Sequence, residues 1–251
     1  MAKTQFLQAE WKNLIMLNYE VDPAILKPYL PPYTVLDLWQ GKALVSMVGF
    51  MFLNTRVLGV KWPFHVNFEE VNLRFYVKHF DGKAWKHGAV FISEIVPKGM
   101  IVLIANNLYK EHYSVLPMRH SAIPLTEEST QYLYEWKLNG KWNRLGGTVN
   151  NELPVIKPGS AEEFIFEHYW GYNIAGKTST FEYQVEHTRW NAGTVTDHFF
   201  DADIYRLYGE EFVPYLQAEP VSAFFADGSE VIVRSAGRIR IDPGLPVLPV
   251  L

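Results

Sequence analysis

The 251-residue chain contains no cysteine. That excludes disulfides, thiolate nucleophiles and Cys-ligated zinc, and it fits a reducing compartment. No long apolar run is present either. The longest, Ala43 to Leu53, is interrupted only by Ser46 and Gly49 and falls far short of the ~20 residues a membrane helix needs. Met1 to Gln8 lacks the apolar run of a signal peptide, so a soluble, cytoplasmic protein without a membrane partner is expected. Lys and Arg gather into no stripe and the net charge is −4, which makes nucleic acid a poor partner. Also missing are a Gly-rich phosphate loop, a Gly-x-Ser-x-Gly elbow and a His-Glu-x-x-His helix. Eight histidines (65, 79, 87, 112, 120, 168, 187, 198) lack close metal-ligand spacing. Neither a cofactor nor a metal is therefore expected, with zinc or iron held across separate strands as the minor alternative.

What is present is a large apolar and aromatic stock. Hydrophobic residues make up 48% of the chain, aromatics 15% and charged residues 20%, enough for a sizeable core. No repeat, low-complexity tract or long linker marks a boundary, so residues 1–251 read as a single domain.

Strand signals dominate. Ala43 to Leu53 is apolar on both faces, as for a central strand covered on both sides. Phe68 to Lys78 alternates, with Val71, Leu73, Phe75 and Val77 on one face and Glu70, Asn72, Arg74 and Tyr76 on the other. Gly88–Val96 and Met100–Leu108 read as a hairpin about Pro97-Lys98-Gly99. Tyr132–Leu138 and Lys141–Leu145 flank Asn139-Gly140, a strong hairpin signal. Phe181–Trp190 and Glu230–Ile241 alternate as well. Short helices are expected after Asp22-Pro23, from Ser160 to about Trp170, and from near Asp203 to Tyr208, followed by Phe212–Leu216. The fold class is α+β: a mostly antiparallel sheet, curled or closed so that it leaves few free edges, with a few outer helices.

Candidate site residues follow from the alternation. Arg74 shares a face with Glu70, four residues and ~13 Å away, too far to pair directly. If that face lines an interior, Arg74 suits a substrate carboxylate; if it faces water, it is a solvated charge. His187 falls in phase with Phe181, Tyr183 and Val185, and its imidazole suits a general base, a ligand donor or a bonded core group. Glu111-His112-Tyr113 and Glu167-His168-Tyr169 repeat a tripeptide, with His168 read as helix packing.

Several segments together resemble an uncharacterised bacterial YqjF-like family. They are Val21-Asp22-Pro23 through Leu30-Pro31-Pro32, Asp37 with Gly41-Lys42-Ala43, Asn72 to Val77, Val185 to Trp190, Tyr208-Gly209-Glu210, Glu219 to Ser222 and Asp227 to Val231. That family is remotely similar in fold to acetoacetate decarboxylase, which implies a cone-like curled sheet with helices outside and a site within. The decarboxylases carry a lysine pair, one lysine forming a Schiff base. On the implied alignment Tyr113 and Ser114 stand in their place. Lys98 sits at an expected hairpin tip, and Lys110 lies beside Glu111, which would hold it charged.

The expected function is a pocket for a small, partly apolar carbonyl or carboxylate compound, without Schiff-base decarboxylation. Arg74, Glu70 and Tyr183 would contact the ligand, with His187 and Tyr113 as candidate catalytic groups. Two alternatives remain open: a lyase- or hydrolase-type enzyme using Arg74 and His187, and a structural or partner-binding protein. The Pro- and Leu-rich end, Leu245 to Leu251, is expected to dock on the body or on a second copy in a homo-oligomer.

Overall fold

The computed structural model describes residues 4–99 and 112–240. The second arm of the expected Pro97-Lys98-Gly99 hairpin and the end Leu245–Leu251 lie outside the described residues. Among the described residues, fourteen strands join in one large, mixed sheet. In chain order they are β1 (Gln5–Val21), β2 (Val35–Leu36), β3 (Ala43–Val57), β4 (Phe68–Phe80), β5 (Trp85–Val96), β6 (Tyr113–Val115) and β7 (Met118–Pro124). There follow β8 (Ser129–Leu138), β9 (Lys141–Asn150), β10 (Trp170–Gly176), β11 (Ser179–His187), β12 (Ala192–Asp201), β13 (Ser222–Arg234) and β14 (Gly237–Arg240).

Pairing runs β11-β10-β5-β4-β3-β1-β13, and β13 pairs again with β11. These strands therefore curl back on themselves as a closed ring, which leaves none of them as a free edge. Every contact in the ring is antiparallel except β10 beside β5, where Trp170 and Gly171 register with Gly88 and Ala89. From β13 the sheet continues through β12, β9, β8 and β7. This extension packs against the outside of the ring.

Alternation decides which side faces what. On β4, Val71, Leu73, Phe75 and Val77 point outward into one core with Tyr134, Trp136 and Leu145 of the extension and with Phe212 and Leu216. The opposite face, with Glu70, Asn72 and Arg74, turns into the ring. The polar face of this strand is thus the enclosed one. A second core, with Leu14, Met16, Val48, Phe50, Phe52 and Phe68, fills part of the interior.

Inside the ring, polar side chains tie strands together. Asn18 Nδ2 donates to Ser222 Oγ (3.0 Å), and Ser46 Oγ donates to Asn18 Oδ1 (2.6 Å). Ser46 also lies 2.6 Å from the Tyr76 hydroxyl. Its single hydrogen is committed to Asn18, so Tyr76 is the donor of that bond. The chain of bonds crosses β4, β3, β1 and β13, and a one-residue slip in any of them would break it.

The short helices are capped as the sequence predicts. Asp22 accepts from Ala24 N, Ser160 from Glu163 N and Asp203 from Arg206 N. Asn139 and Gly140 both adopt positive φ (48° and 84°), the geometry a two-residue hairpin needs. Two expectations are corrected, and one strand was not read from the sequence at all. Residues 5–21 form one long strand, in which Asn13 at φ 57° marks a bulge that hides the alternation. The helix after Ser160 stops at Phe166 instead of Trp170, and Trp170 opens β10. The expected Glu230–Ile241 strand begins at Ser222 and breaks after Arg234, where the register along β11 shifts by one residue before β14 continues the pairing.

Candidate functional site

A cavity of about 120 Å³ lies within the ring, and every ring strand contributes to its wall. Most of the wall is apolar, supplied by Trp11, Phe50, Phe52, Phe68, Phe91 and Val185 among others. Polar side chains interrupt it, among them Glu70, Asn72 and Arg74 on β4, Glu94 on β5, Tyr113 on β6, and His168. Apolar walls with a few convergent polar groups are the usual form of a small-molecule site.

Alternation places Glu70, Asn72 and Arg74 in the cavity, and strand register adds Glu94 directly opposite Asn72. Glu70, Asn72 and Glu94 are all buried. Glu70 Oε1 accepts from Asn72 Nδ2 at 2.9 Å, and Oε2 accepts from the Tyr113 hydroxyl at 3.1 Å. Tyr113 reaches this point because β6 lies parallel to β5, with Tyr113 beside Glu94.

Arg74 is only partly buried. Its Nη2 donates to the Ile165 carbonyl at 3.2 Å and lies 3.6 Å from Met16 Sδ. Among the described residues it has no carboxylate partner, and its Nε is buried without an acceptor. The guanidinium also lies over the Tyr76 ring, 5.5 Å from its centroid.

The cavity also takes in a group that the sequence reading assigned to helix packing. His168 follows the Ala161–Phe166 helix and is enclosed by Tyr76 and Phe164, with ring centroids 4.6 Å and 5.1 Å away. Its Nε2 donates to Asp37 Oδ2 at 3.3 Å, while Nδ1 is buried without a partner. His87 Nδ1 lies 2.5 Å from the same Asp37 oxygen, and Lys78 Nζ lies 3.3 Å from Oδ1. Burial alone would raise the Asp37 carboxyl, but hydrogen bonds from His168 and His87 hold it well below the usual carboxylate range. Burial lowers the His168 imidazole, with Arg74 and His87 adding to the effect and Asp37 opposing it. At neutral pH the pair is therefore a carboxylate and a neutral imidazole.

Donor atoms of Asp37, His87 and His168 lie within 4.8 Å of one another, so the trio could hold a metal ion. Lys78 opposes that use, because its ammonium already sits on the one carboxylate such a site would have.

The structure brings four of the sequence-derived residues, Arg74, Glu70, Tyr113 and Tyr183, to one cavity. Tyr183 reaches the wall through a glycine: a Cβ on Gly171 would overlap the Tyr183 ring. His187 does not share the wall, which corrects its expected placement. It lies at the end of β11, where its ring stacks on Trp190 (4.2 Å) and against Tyr169 (4.6 Å) and Nδ1 contacts the Thr188 carbonyl. The reason is length: two residues beyond Val185, the strand has passed the cavity and pairs with Val231.

Asp37, His87, His168, Asn72 and Glu94 were not proposed as site residues. Glu94 carried a usable signal, as the lone carboxylate in the otherwise apolar run Val90 to Val96 apart from Ser93. His168 and Asp37 are 131 residues apart and carried none.

Comparison with known proteins agrees with this architecture. Residues 8–230 match the model of a family described as an uncharacterized conserved protein. The uncharacterized protein YqjF of Bacillus subtilis (strain 168) is 29% identical over 114 residues, 45% of this chain and 46% of that protein. The match thus spans about half the length of that relative. Among solved structures, acetoacetate decarboxylase from Legionella pneumophila superposes with a TM-score of 0.65 at 11% identity, covering 93% of this chain and 87% of that one. The enduracididine biosynthesis enzyme MppR complexed with pyruvate superposes at 0.63 and 13% identity, covering 94% and 91%. At such identities these likenesses show the fold alone.

Proposed function

Since the chain belongs to the DUF2071 family of uncharacterized conserved proteins, whose name supplies no chemistry, we propose a function from the cavity: binding of a small, partly apolar carboxylate. Arg74 takes the carboxylate and the aromatic wall takes the apolar part. The observation that carries this reading is the Arg74 guanidinium, which borders the cavity with Nε unpaired and no carboxylate partner among the described residues. A partly buried guanidinium with a buried, unpaired Nε has a donor to spare for an anion, and its planar fork fits a carboxylate. Fold neighbours that carry the names acetoacetate decarboxylase and MppR with pyruvate act on or hold small oxo-carboxylates, which supports the ligand class.

The reading involves no Schiff-base decarboxylation: on the alignment that the resemblance implies, Tyr113, which lines the cavity, stands in a lysine position. It also gives His187 no part in the chemistry, since its ring packs against Trp190 and Tyr169 and does not line the cavity.

The test is titration of hexanoate into the protein by calorimetry. Arg74→Met is expected to weaken hexanoate at least tenfold and to leave hexanol unaffected. Equal hexanoate affinity in Arg74→Met would remove the carboxylate from the proposal.

A further inference from the structure

Among the described residues, buried polar atoms at the cavity without a partner include Trp11 Nε1, Arg74 Nε, Asn72 Oδ1 and His168 Nδ1. A buried polar atom without a hydrogen bond is costly, so such a set describes what fills the space. The first two are donors, and a carboxylate satisfies donors. The last two are acceptors, and a carboxylate offers them nothing.

The His168 acceptor is fixed by its neighbours. Asp37 has only lone pairs to offer, so the proton of the neutral imidazole resides on Nε2 and the lone pair on Nδ1. Lowering of the His168 pKa by burial keeps that lone pair free at neutral pH. Asp37 is itself held in place at Nε2 by His87 and Lys78. Position follows from the same contacts. Arg74 binds the Ile165 carbonyl, three residues before His168, and Asn72 lies two residues from Arg74 on the same strand face, ~6.6 Å along it. Both residues therefore line the same cavity as the guanidinium.

We propose that the ligand is a hydroxy carboxylate, with a hydroxyl next to the carboxylate that donates to His168 Nδ1 while Arg74 holds the acid group. The inference rests on the carboxylate reading above. It makes His168 the residue that selects the ligand and Asp37 the one that sets its tautomer.

The test compares hexanoate with 2-hydroxyhexanoate by calorimetry in the wild type, His168→Gln, His168→Asn and Arg74→Met. The wild type is expected to prefer the hydroxy acid about tenfold, the usual return for satisfying one buried acceptor. A Gln amide reaches the place of Nε2 and keeps the Asp37 contact, so His168→Gln should lose the preference. An Asn carbonyl reaches the place of Nδ1, so His168→Asn should keep most of it. Equal affinities in the wild type would mean that water fills the acceptors and would overturn the proposal, as would an unchanged preference in His168→Gln. If hexanoate binds through Arg74 without a hydroxyl preference, this inference falls alone. If neither acid binds, or Arg74→Met is indifferent to both, the carboxylate reading falls and this inference with it. The wild-type comparison decides even if a variant fails to fold.

Discussion

Gly171 lies directly beneath the ring of Tyr183, on the strand next to it, with no room for a β-carbon between them. The missing side chain lets Tyr183 lie flat against the cavity wall. Gly171→Ala is expected to push the ring inward and destabilise the fold by roughly 1–3 kcal/mol, the usual range for overpacking. Urea unfolding would measure it. A loss below about 0.5 kcal/mol would show that the ring moves freely and that the close approach is incidental.

Tyr113 gives Glu70 one of its bonds inside the ring. Tyr113→Phe removes a donor from a buried carboxylate and is expected to cost about 1–3 kcal/mol of stability. Tyr113→Phe should also leave any hexanoate binding through Arg74 within a few-fold of wild type. A variant of unchanged stability would mean that solvent already serves Glu70.

Acid should weaken the fold in two stages. The His168 imidazole is lowered from its usual 6.5 when folded, so below that pH the unfolded chain takes up a proton that the native state does not. Stability then falls with pH, by at most about 1.4 kcal/mol per pH unit for this group. The His187 imidazole, lowered by burial, acts in the same direction. Asp37 acts lower on the scale: its stabilisation is complete above about pH 4 and fades as pH drops toward its depressed folded value. His168→Phe should flatten the slope between pH 7 and 5 by up to one proton. Identical slopes in urea midpoints for variant and wild type would contradict a buried, neutral His168.

No Schiff base should form. Borohydride reduction in the presence of labelled acetoacetate is expected to leave the protein unlabelled. A stoichiometric adduct at Lys98 or Lys110 would overturn the alignment that puts Tyr113 and Ser114 in the lysine positions.

Lys78 should keep the Asp37, His87 and His168 trio free of metal. Dialysis against a chelator is expected to leave the melting temperature unchanged, and cobalt(II) to give no ligand-field band. Lys78→Met removes the competing ammonium and is expected to raise cobalt affinity. Stoichiometric zinc in the purified wild type would reverse this argument.

The parts legible in sequence were those governed by neighbours in the chain. Strand β4 and the Asn139-Gly140 hairpin show in period-two alternation and turn chemistry, and the helix starts show in Asp22, Ser160 and Asp203. Arg74, Glu70 and Asn72 reach one cavity because alternation alone puts them on one face. Closure of the ring supplied what alternation could not, namely that this face points inward. Strand β1 was missed because a bulge at Asn13 interrupts its period. His187 was misplaced because phase says which face a residue takes but not how far along the strand the cavity extends. Asp37 and His168 meet only through the fold, and the rule that a histidine four residues after a phenylalanine packs on a helix was satisfied by Phe164 and His168 even though the helix had ended.

Strand β1 has a further consequence, for the order of assembly. One of its edges is taken by β3, which follows soon after, but the other waits for β13, and Gln8 bonds to Glu230, 222 residues away. During synthesis β1 keeps a bare edge until β13, which begins at Ser222, has been made. Pairing over such a separation is slow, and an uncovered edge invites pairing with other chains in the meantime. A chain cut short before Ser222 would lose the neighbour of both β1 and β11, and with it the ring itself.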